Sequence, residues 1–456
     1  MVVFVNLEII FNNTYGFNQF TYKVPDKYAD NIQVGDIVTV PFRNTTRNAI
    51  ITEVNLATSS VSNTKTLFKK IGSINRNQYK YLERLAVSNN LNIGILLDKH
   101  ISYELLSKQN KVKTNNIFIK PNSDVAIYLK ESYNIIFTSS LEESKQVAEH
   151  LKNNGKKVSF YQKTGGVKEF TSFWEKNKEF ETIIVLSVNF ERINVDDKLT
   201  FHFFNSNNIS YNLPKLNNLN IIESSLIKHK VFNGSFYYYN EFPSLEYFSN
   251  VNEYFLEIPE IDITYIYGNS LDECLEIFDL KYKDKDLTIF SYVQDLQFIS
   301  KNHNLTTDPK NVAITSAILY NPTISFNGIL SSNRLISFIR NITRFHKKNI
   351  AIVIFTTKKI DLITKLKSKQ LSKWAEKEAR ERAKYGPNLN IRIYKITSKI
   401  NLDFVNSNKY IIGPKITNNQ YVYEVKIKLT DNINYNEIIN LFKKLNKSTV
   451  ERVKSL

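Results

Sequence analysis

The sequence predicts a multidomain α/β protein, because three hydrophobic patterns follow one another along its 456 residues. Short strands separated by turns fill the first part of the chain, which is typical of a small β-barrel or sandwich. Strands alternating with helices fill the middle, which is typical of a parallel sheet. A charged helix followed by strands and one more helix ends the chain as a small α+β module. These shifts predict domains at 1–106, 107–255, 256–365 and 366–456.

Each predicted element follows from a local pattern. In the first domain, alternating or continuous apolar runs predict strands at Val2–Phe11, Phe20–Val24, Ile37–Val40 and Ala49–Val54. Residues 64–106 change to a helical period, with Tyr79, Leu82, Leu85 and Ala86 on one stripe.

The middle of the chain predicts parallel strands at Tyr133–Thr138, Lys157–Tyr161, Thr182–Val188 and Leu199–Phe204. A helix is expected at Leu141–Asn153, with Ser140 as its N-cap and Glu143 in its first turn, and a second helix around Lys168–Lys178. Residues 107–132 are polar, and we expect them to be irregular.

The last third predicts further strands and helices. Strands are expected at Leu287–Val293, Val312–Leu319 and Asn349–Phe355, and a helix at Asn333–His346. A charged helix at 366–385 is stopped by Gly386-Pro387. The final module has predicted strands at Ile391–Ile396, Tyr410–Ile412 and Tyr421–Leu429, then a helix at Tyr435–Leu445.

Composition narrows the class of partner. The formal net charge is +17, from 61 Lys and Arg against 44 Asp and Glu, which favours a polyanion such as nucleic acid or an anionic membrane surface. AT-rich codon usage, which inflates Lys, Asn and Ile, is the alternative explanation.

The single Cys274 excludes an internal disulfide and a cysteine-based zinc site, and the six histidines contain no i, i+4 pair, so we expect no metal and no cofactor. The first residues resemble a strand rather than a signal peptide, and no apolar run reaches the roughly 18 residues of a membrane span, so a cytoplasmic protein is expected.

One stretch of the first domain has a specific resemblance. The segments QFTYKVP (19–25), VGDIVTVPF (34–42) and NAIITEV (48–54) resemble, in order and spacing, the 3′-DNA-binding domain of the PriA (primosomal protein N′) family. The resemblance implies a pocket for a 3′-terminal nucleotide, with Phe20 and Tyr22 as aromatic groups, Thr21 where the family has Asp, and Lys69 on phosphate or sugar. Arg43 stands where the family has Gly, and Arg43 and Arg47 are candidate phosphate contacts. Ordinary barrel packing is the alternative role for Phe20 and Tyr22.

The next region resembles the helicase lobes of the same family without their catalytic motifs. Residues 133–250 resemble lobe 1, and Pro243–Glu246 match a scaffold segment, but the chain contains no Gly-x-x-x-x-Gly-Lys-[Ser/Thr] phosphate loop. The Walker B carboxylates are replaced in the run Asn205, Ser206, Asn207, Asn208. Asn cannot replace a carboxylate on Mg²⁺ or act as a general base. Residues 330–359 resemble the entry to lobe 2, without room or cysteines for the family's zinc insertion. The resemblance therefore implies degenerate RecA-like (P-loop helicase) lobes and no ATPase activity.

The end of the chain resembles the family's C-terminal domain, which in relatives contacts DNA and the single-strand-binding protein. Lys415, Lys426 and Lys428 are candidate phosphate contacts on a basic strand face. The resemblance implies a non-catalytic protein of replication restart that binds forked or 3′-ended DNA. Its expected partners are single-strand-binding protein and primosome or helicase-loading factors. Two alternatives stay open: an active ATP-dependent helicase with an atypical nucleotide site, and a structural or RNA-binding protein that keeps only the fold.

Overall fold

The computed structural model divides the chain into two compact units, residues 1–240 with 389–453 and residues 241–388 with 454–456. The predicted multidomain α/β class is confirmed: the chain contains an N-terminal antiparallel sheet, parallel sheets and a small C-terminal antiparallel sheet. The structure describes residues 2–11, 19–57, 64–120, 125–129, 133–161, 167–177, 180–206, 209–213, 216, 219–240, 262–267, 269, 273, 276–277, 280, 288–290, 304–306, 315–319, 351–356, 371–385, 390–402, 410–429, 435–445 and 449–452.

The first domain is a five-stranded, barrel-like sheet with helices beside it. Its sheet order is β2-β1-β4-β3-β5, and all neighbours are antiparallel. The segment before β5 approaches β2, where the Lys23 amide donates to the Lys65 carbonyl (2.9 Å) and the Leu67 amide donates to the Lys23 carbonyl (3.1 Å). The elements are β1 (Val2–Ile9), β2 (Gln19–Lys23), α1 (Asp26–Ala29), β3 (Asp36–Phe42), β4 (Thr45–Ala57), β5 (Lys69–Ser73), α2 (Arg76–Asn89), α3 (Ile93–Lys99) and α4 (Tyr103–Leu106).

Strand alternation explains this barrel. Alternate residues of each strand point inward, and these inward rows form one buried apolar core: Val3, Val5, Leu7 and Ile9 of β1, Tyr22 and Val24, Val38 and Val40, and Ala49 and Ile51. The four predicted strands are confirmed. The strand β5, Lys-Lys-Ile-Gly-Ser, corrects the prediction of helix alone across 64–106.

The helices after the barrel follow the predicted stripe. Tyr79, Leu82, Leu85 and Ala86 of α2 are all buried. The helix begins at a capping box, in which the Asn75 side chain accepts from the Gln78 amide (3.0 Å) and the Gln78 side chain accepts from the Asn75 amide (2.7 Å).

The second domain contains a six-stranded parallel sheet of order β6-β13-β10-β7-β9-β8. The predicted helix is confirmed from Leu141, where the Ser140 hydroxyl accepts from the Glu143 amide at 3.2 Å. The strand β6 corrects the prediction of an irregular segment at 107–132. The elements are β6 (Asn115–Lys120), β7 (Tyr133–Thr138), α5 (Leu141–Asn153), β8 (Val158–Tyr161), α6 (Val167–Asn177), β9 (Thr182–Leu186), a 3-10 helix (Ser187–Arg192), β10 (Leu199–Phe203), a 3-10 helix (Ile209–Tyr211), β11 (Asn212–Leu213), β12 (Leu219–Asn220), α7 (Ile221–Phe232) and β13 (Gly234–Tyr239).

The second unit contains a five-stranded parallel sheet of order β14-β18-β17-β15-β16. The predicted helix Asn333–His346 and the segment Pro243–Glu246 lie outside the described residues. The elements are β14 (Asp262–Tyr267), β15 (Thr288–Phe290), β16 (Asn304–Thr306), β17 (Thr315–Leu319), β18 (Ala351–Thr356) and α8 (Leu371–Tyr385).

The C-terminal module is an antiparallel sheet of order β20-β21-β19-β22 with one helix. Within the first unit it packs on both other domains. The Tyr435 hydroxyl donates to the Glu8 carboxylate of β1 at 2.7 Å, and Arg392 forms an ion pair with Glu223 of α7 at 2.7 Å. The elements are β19 (Ile391–Ser398), β20 (Ile411–Thr417), β21 (Gln420–Lys428), α9 (Tyr435–Lys444) and β22 (Thr449–Arg452).

Among the described helices, none combines the length and the apolar character that a bilayer crossing requires.

Candidate nucleic-acid interface

One end of the barrel carries three phenylalanines and two arginines, which we call the aromatic–arginine rim: Phe11, Phe20, Phe42, Arg43 and Arg47. Strands β1 and β3 end there and strands β2 and β4 begin there, because β1 and β3 both run antiparallel to β4. Alternation continues the inward rows of all four strands to this end. The rim therefore covers the open mouth of the barrel.

The rings of the rim are held in place but not fully covered. Phe11, Phe20 and Phe42 are partly buried and pack against the barrel core. The Phe20 ring meets the Phe42 ring edge to face, with centroids 5.2 Å apart and an interplanar angle of 69°. Phe20 and Phe42 thus support each other, and all three rings keep part of their surface exposed.

Each arginine of the rim lies over one of these rings. The Arg43 guanidinium carbon is 5.5 Å from the centroid of Phe42, and that of Arg47 is 4.5 Å from the centroid of Phe11. Arg43 has a backbone φ of +52° in the turn between β3 and β4. This left-handed conformation favours glycine, which explains the Gly that the resembling family has there. Arg43 is exposed and Arg47 half-buried.

Tyr22 and Thr21 lie on opposite faces of β2. Tyr22 is buried in the barrel core, and its hydroxyl donates to the Pro41 carbonyl at 2.8 Å, so it has a packing role. Burial raises the pKa of this phenol. Thr21 is exposed on the outer face, where its hydroxyl donates to the Asn6 side chain at 2.7 Å. The predicted pair of Phe20 and Thr21 is therefore divided between two faces of the strand.

Lys69 lies at the start of the edge strand β5 and is exposed. Its Cα pairs with Thr39, three positions before Phe42 on β3. At about 3.3 Å per residue, its backbone is roughly 10 Å along the strand from the rim. Lys65, which sequence reasoning did not single out, is exposed and hydrogen-bonded through its backbone to Lys23 of β2.

The three lysines of the C-terminal module lie on one face of its sheet. Lys426 and Lys428 alternate with the buried Val425 and Ile427 on β21, and Lys415 pairs with Val422, which also faces away from the core. Sequence reasoning missed Lys395, which belongs to the same face because it pairs with Glu424. This basic face carries the alternation that antiparallel sheets show when one side meets water.

The predicted Walker B position lies at the carboxyl end of β10 and is filled by internal hydrogen bonds. The Asn205 side-chain amide donates to the Glu143 carboxylate at 2.7 Å, and the same carboxylate accepts from the Ser139 amide at 2.9 Å. The Ser206 amide donates to the Tyr239 carbonyl at 2.9 Å. Asn207 and Asn208 lie outside the described residues. Within the described ranges, no group of three or more His, Cys, Asp or Glu side chains is arranged to hold a metal ion.

The barrel domain matches the model of a known domain family. Residues 8–99 match the model of the PriA 3′-DNA-binding domain (3′BD). The aromatic–arginine rim belongs to this 3′BD, and the predicted resemblance of the first domain is confirmed. Among curated proteins, none matches the chain.

Several solved helicase structures show a distant likeness. Arterivirus nonstructural protein 10 (helicase) has a TM-score of 0.29 and 9% identity over 74% of this chain and 75% of its own. Its complex with DNA has a TM-score of 0.28 and 8% identity over 73% and 76% of the two chains. A hypothetical ATP-dependent RNA helicase from Sulfolobus tokodaii has a TM-score of 0.26 and 10% identity over 67% and 100%. These values are too low to carry any statement about function.

Proposed function

We propose that this chain is a non-catalytic DNA-binding protein that grips forked or 3′-ended DNA through its 3′BD. The observation that carries the proposal is the aromatic–arginine rim within residues 8–99. A base stacked on an aromatic ring gains about 1–3 kcal/mol, whatever its identity. An arginine over a ring keeps guanidinium N–H groups at its edge for bidentate contact with phosphate. The rim thus combines the two groups that an unpaired strand requires.

The proposal that the chain is non-catalytic is supported by the carboxyl ends of the parallel strands. A helicase motor needs a carboxylate there to hold Mg²⁺ and a phosphate loop to hold the triphosphate. Here Asn205 donates to Glu143, and Glu143 accepts from the Ser139 amide at the start of α5, where an anion would otherwise bind. The proposed role is that of a platform in replication restart, which recruits single-strand-binding protein and primosome or helicase-loading factors in the cytoplasm.

The first experiment measures the affinity of a forked DNA with a 3′ single strand by fluorescence anisotropy over a range of salt concentrations. We expect Arg43→Gln with Arg47→Gln to weaken binding and to reduce the slope of log K against log salt by about 1.4, because each lost phosphate contact on a single strand contributes about 0.7. The matched control is Lys27→Gln. Lys27 lies 4.9 Å over the Tyr28 ring in the helix after β2, at the opposite end of the barrel. An unchanged slope in the double variant would exclude the rim from the interface.

The role of Phe20 has a separate test. Phe20→Ala is expected to abolish any preference for a free 3′-hydroxyl over a 3′-phosphate, and Thr21→Val is expected to leave it intact because Thr21 faces the other side of β2. A preference that survives Phe20→Ala would remove this ring from the 3′-end pocket.

An assay of ATP hydrolysis distinguishes this proposal from an active helicase. We expect no Mg²⁺-dependent ATP hydrolysis by the full chain with forked DNA present, and no change in DNA affinity on addition of ATP. Saturable hydrolysis would favour an atypical nucleotide site. Equal affinity for forked DNA, blunt duplex and RNA at one salt concentration would favour a structural or RNA-binding protein.

A further inference from the structure

A cavity lies at the amino edge of the parallel sheet, on the side opposite to the predicted Walker B position. Its volume is about 630 Å³. Tyr133, Ile183 and Leu199, at or near the amino ends of β7, β9 and β10, form its floor, and α6 forms one wall. This volume is within the range of roughly 300–1,000 Å³ that small-molecule sites have.

The walls of the cavity are rich in aromatic rings. Trp174 is half-buried and lies against Phe170, with ring centroids 6.3 Å apart and planes inclined by 25°. Tyr133 and Phe180 also line the cavity and keep 44% and 37% of their surface exposed. Large rings that remain open to a cavity provide π-faces on which a flat ligand can stack.

The charged residues of the lining favour an anion. Three cations line the cavity, Lys108, Arg192 and Lys198, against one carboxylate, Asp196. The Asp196 carboxylate accepts a hydrogen bond from the Lys198 backbone amide at 2.8 Å. This bond within the loop offsets part of the negative charge of Asp196.

Arg192 is the central cation. It is half-buried, and its guanidinium donates to the neutral Asn189 side chain at 2.6 Å. Burial lowers the pKa of this guanidinium, and Tyr161 and Glu169 oppose that effect only in part. A half-buried cation forms a stronger charged hydrogen bond with an anionic ligand than an exposed one does, because less water competes for it.

We propose that this cavity binds one nucleotide, with the base stacked on Trp174 and the phosphate held by Arg192 and Lys198. The source of the nucleotide is either a free mononucleotide or an unpaired residue of a DNA strand, since both present a planar base and an anionic phosphate. The site is separate from the rim of the 3′BD, and this inference does not depend on the proposed function.

The chain offers a direct reporter, because it contains two tryptophans, Trp174 and Trp374. In the Trp374→Phe protein all tryptophan fluorescence comes from the cavity. Thymidine 5′-monophosphate and oligo-dT are expected to quench it saturably. Deoxyribose 5-phosphate, which lacks the base, and thymidine, which lacks the phosphate, are expected to bind at least tenfold more weakly. Tighter binding of oligo-dT assigns the cavity to a DNA strand, and tighter binding of the mononucleotide assigns it to a free ligand.

Variants in this background test the assigned contacts. Arg192→Gln is expected to weaken nucleotide binding about tenfold or more, since it removes a charged hydrogen bond. The exposed Lys198 can be replaced without disturbing packing, and Lys198→Gln is expected to weaken binding about threefold. Lys152→Gln on the exposed end of α5 is the control and should change nothing.

Two outcomes would overturn the proposal: no saturable quenching by either ligand at millimolar concentration, or affinities that are the same in Arg192→Gln, Lys198→Gln and Lys152→Gln. Quenching of Trp174 reports binding at the cavity, whereas the salt slope of Arg43→Gln with Arg47→Gln reports binding at the rim, so that failure here and failure of the proposed function are distinguishable.

Discussion

The ion pair between Arg392 and Glu223 gives the sharpest prediction about stability. Both side chains are fully buried, and Arg392 Nη2 lies 2.7 Å from Glu223 Oε1. At this distance, and with an effective dielectric constant of about 20, the attraction is about 6 kcal/mol before desolvation is counted. Removing one member of a buried ion pair leaves the other charge without this contact, and such a change costs about 3–5 kcal/mol. Arg392→Met should therefore detach the C-terminal sheet from α7.

Hydrogen exchange measures this detachment locally, which matters because a chain of several domains does not unfold in two states. At about 1.4 kcal/mol per tenfold change, Arg392→Met should accelerate amide exchange in β19 and β21 roughly 150- to 5,000-fold. Arg392→Met combined with Glu223→Leu removes both charges and should return exchange to within about tenfold of the wild type. The matched control is Lys230→Gln, because Lys230 donates to Asn390 at the same junction but is exposed.

Exchange within tenfold of the wild type in Arg392→Met would refute the reasoning. So would a double variant that exchanges as fast as the single variant, because the penalty would then arise from lost packing and not from the lost ion pair.

Three further predictions concern single residues. Burial raises the pKa of Glu83 to about 7 from its ordinary 4.5. The contribution of Glu83 to stability is therefore complete below pH 4.5 and is lost as pH rises to 7, by about 3 kcal/mol at most. Glu83→Gln should flatten the pH dependence of the amide-exchange protection factors in α2 over that window, and an equal dependence in wild type and variant would contradict it. Burial lowers the pKa of His229 to about 4 from 6.5, so the folded state loses stability as pH falls from 6.5 to 4; an NMR titration of the imidazole with a midpoint near 6.5 would contradict this. A Cβ on Gly94 would lie 2.3 Å from the Ile9 carbonyl oxygen, so Gly94→Ala should lower the free energy of unfolding, measured by chemical denaturation, by about 1–3 kcal/mol or more. Gly72→Ala is the control, because its nearest contact is at 3.6 Å, and it should cost less than about 1 kcal/mol. Equal losses in the two variants would contradict the clash.

Much of the fold could be predicted because local and tertiary preferences agree. Strand β7 and helix α5 begin and end at the predicted residues, since an apolar run, the Ser140 cap and a helical period all specify them. Helix α7 was not predicted, because it is buried on nearly every side, including Glu223 and Lys228, and so has no polar face for a pattern to reveal. The strands β5 and β6 are mostly half-exposed, and they form because backbone groups of β3 and β13 need partners.

The candidate interface was predictable only in part. Motif spacing identified Phe20, Arg43 and Arg47, and strand alternation alone separates Thr21 from Phe20. Phe11 was missed, because its contact with Arg47 depends on two strands meeting at one end of the barrel. The cavity beside Trp174 was missed for a similar reason, since its lining comes from segments between Leu105 and Leu199 that no short motif connects.

The bond between Glu8 and Tyr435 joins residues 427 positions apart. At about 5–20 residues per second, a ribosome needs on the order of 20–90 s to make the chain between them. During that interval the strands and the apolar core of the barrel are already synthesised. The side of β1 that carries Glu8 is still uncovered, because the C-terminal module has not yet been made. Completion of the first unit therefore has to await the synthesis of Tyr435, and a nascent chain stalled before that residue would present the uncovered side of β1 to chaperones.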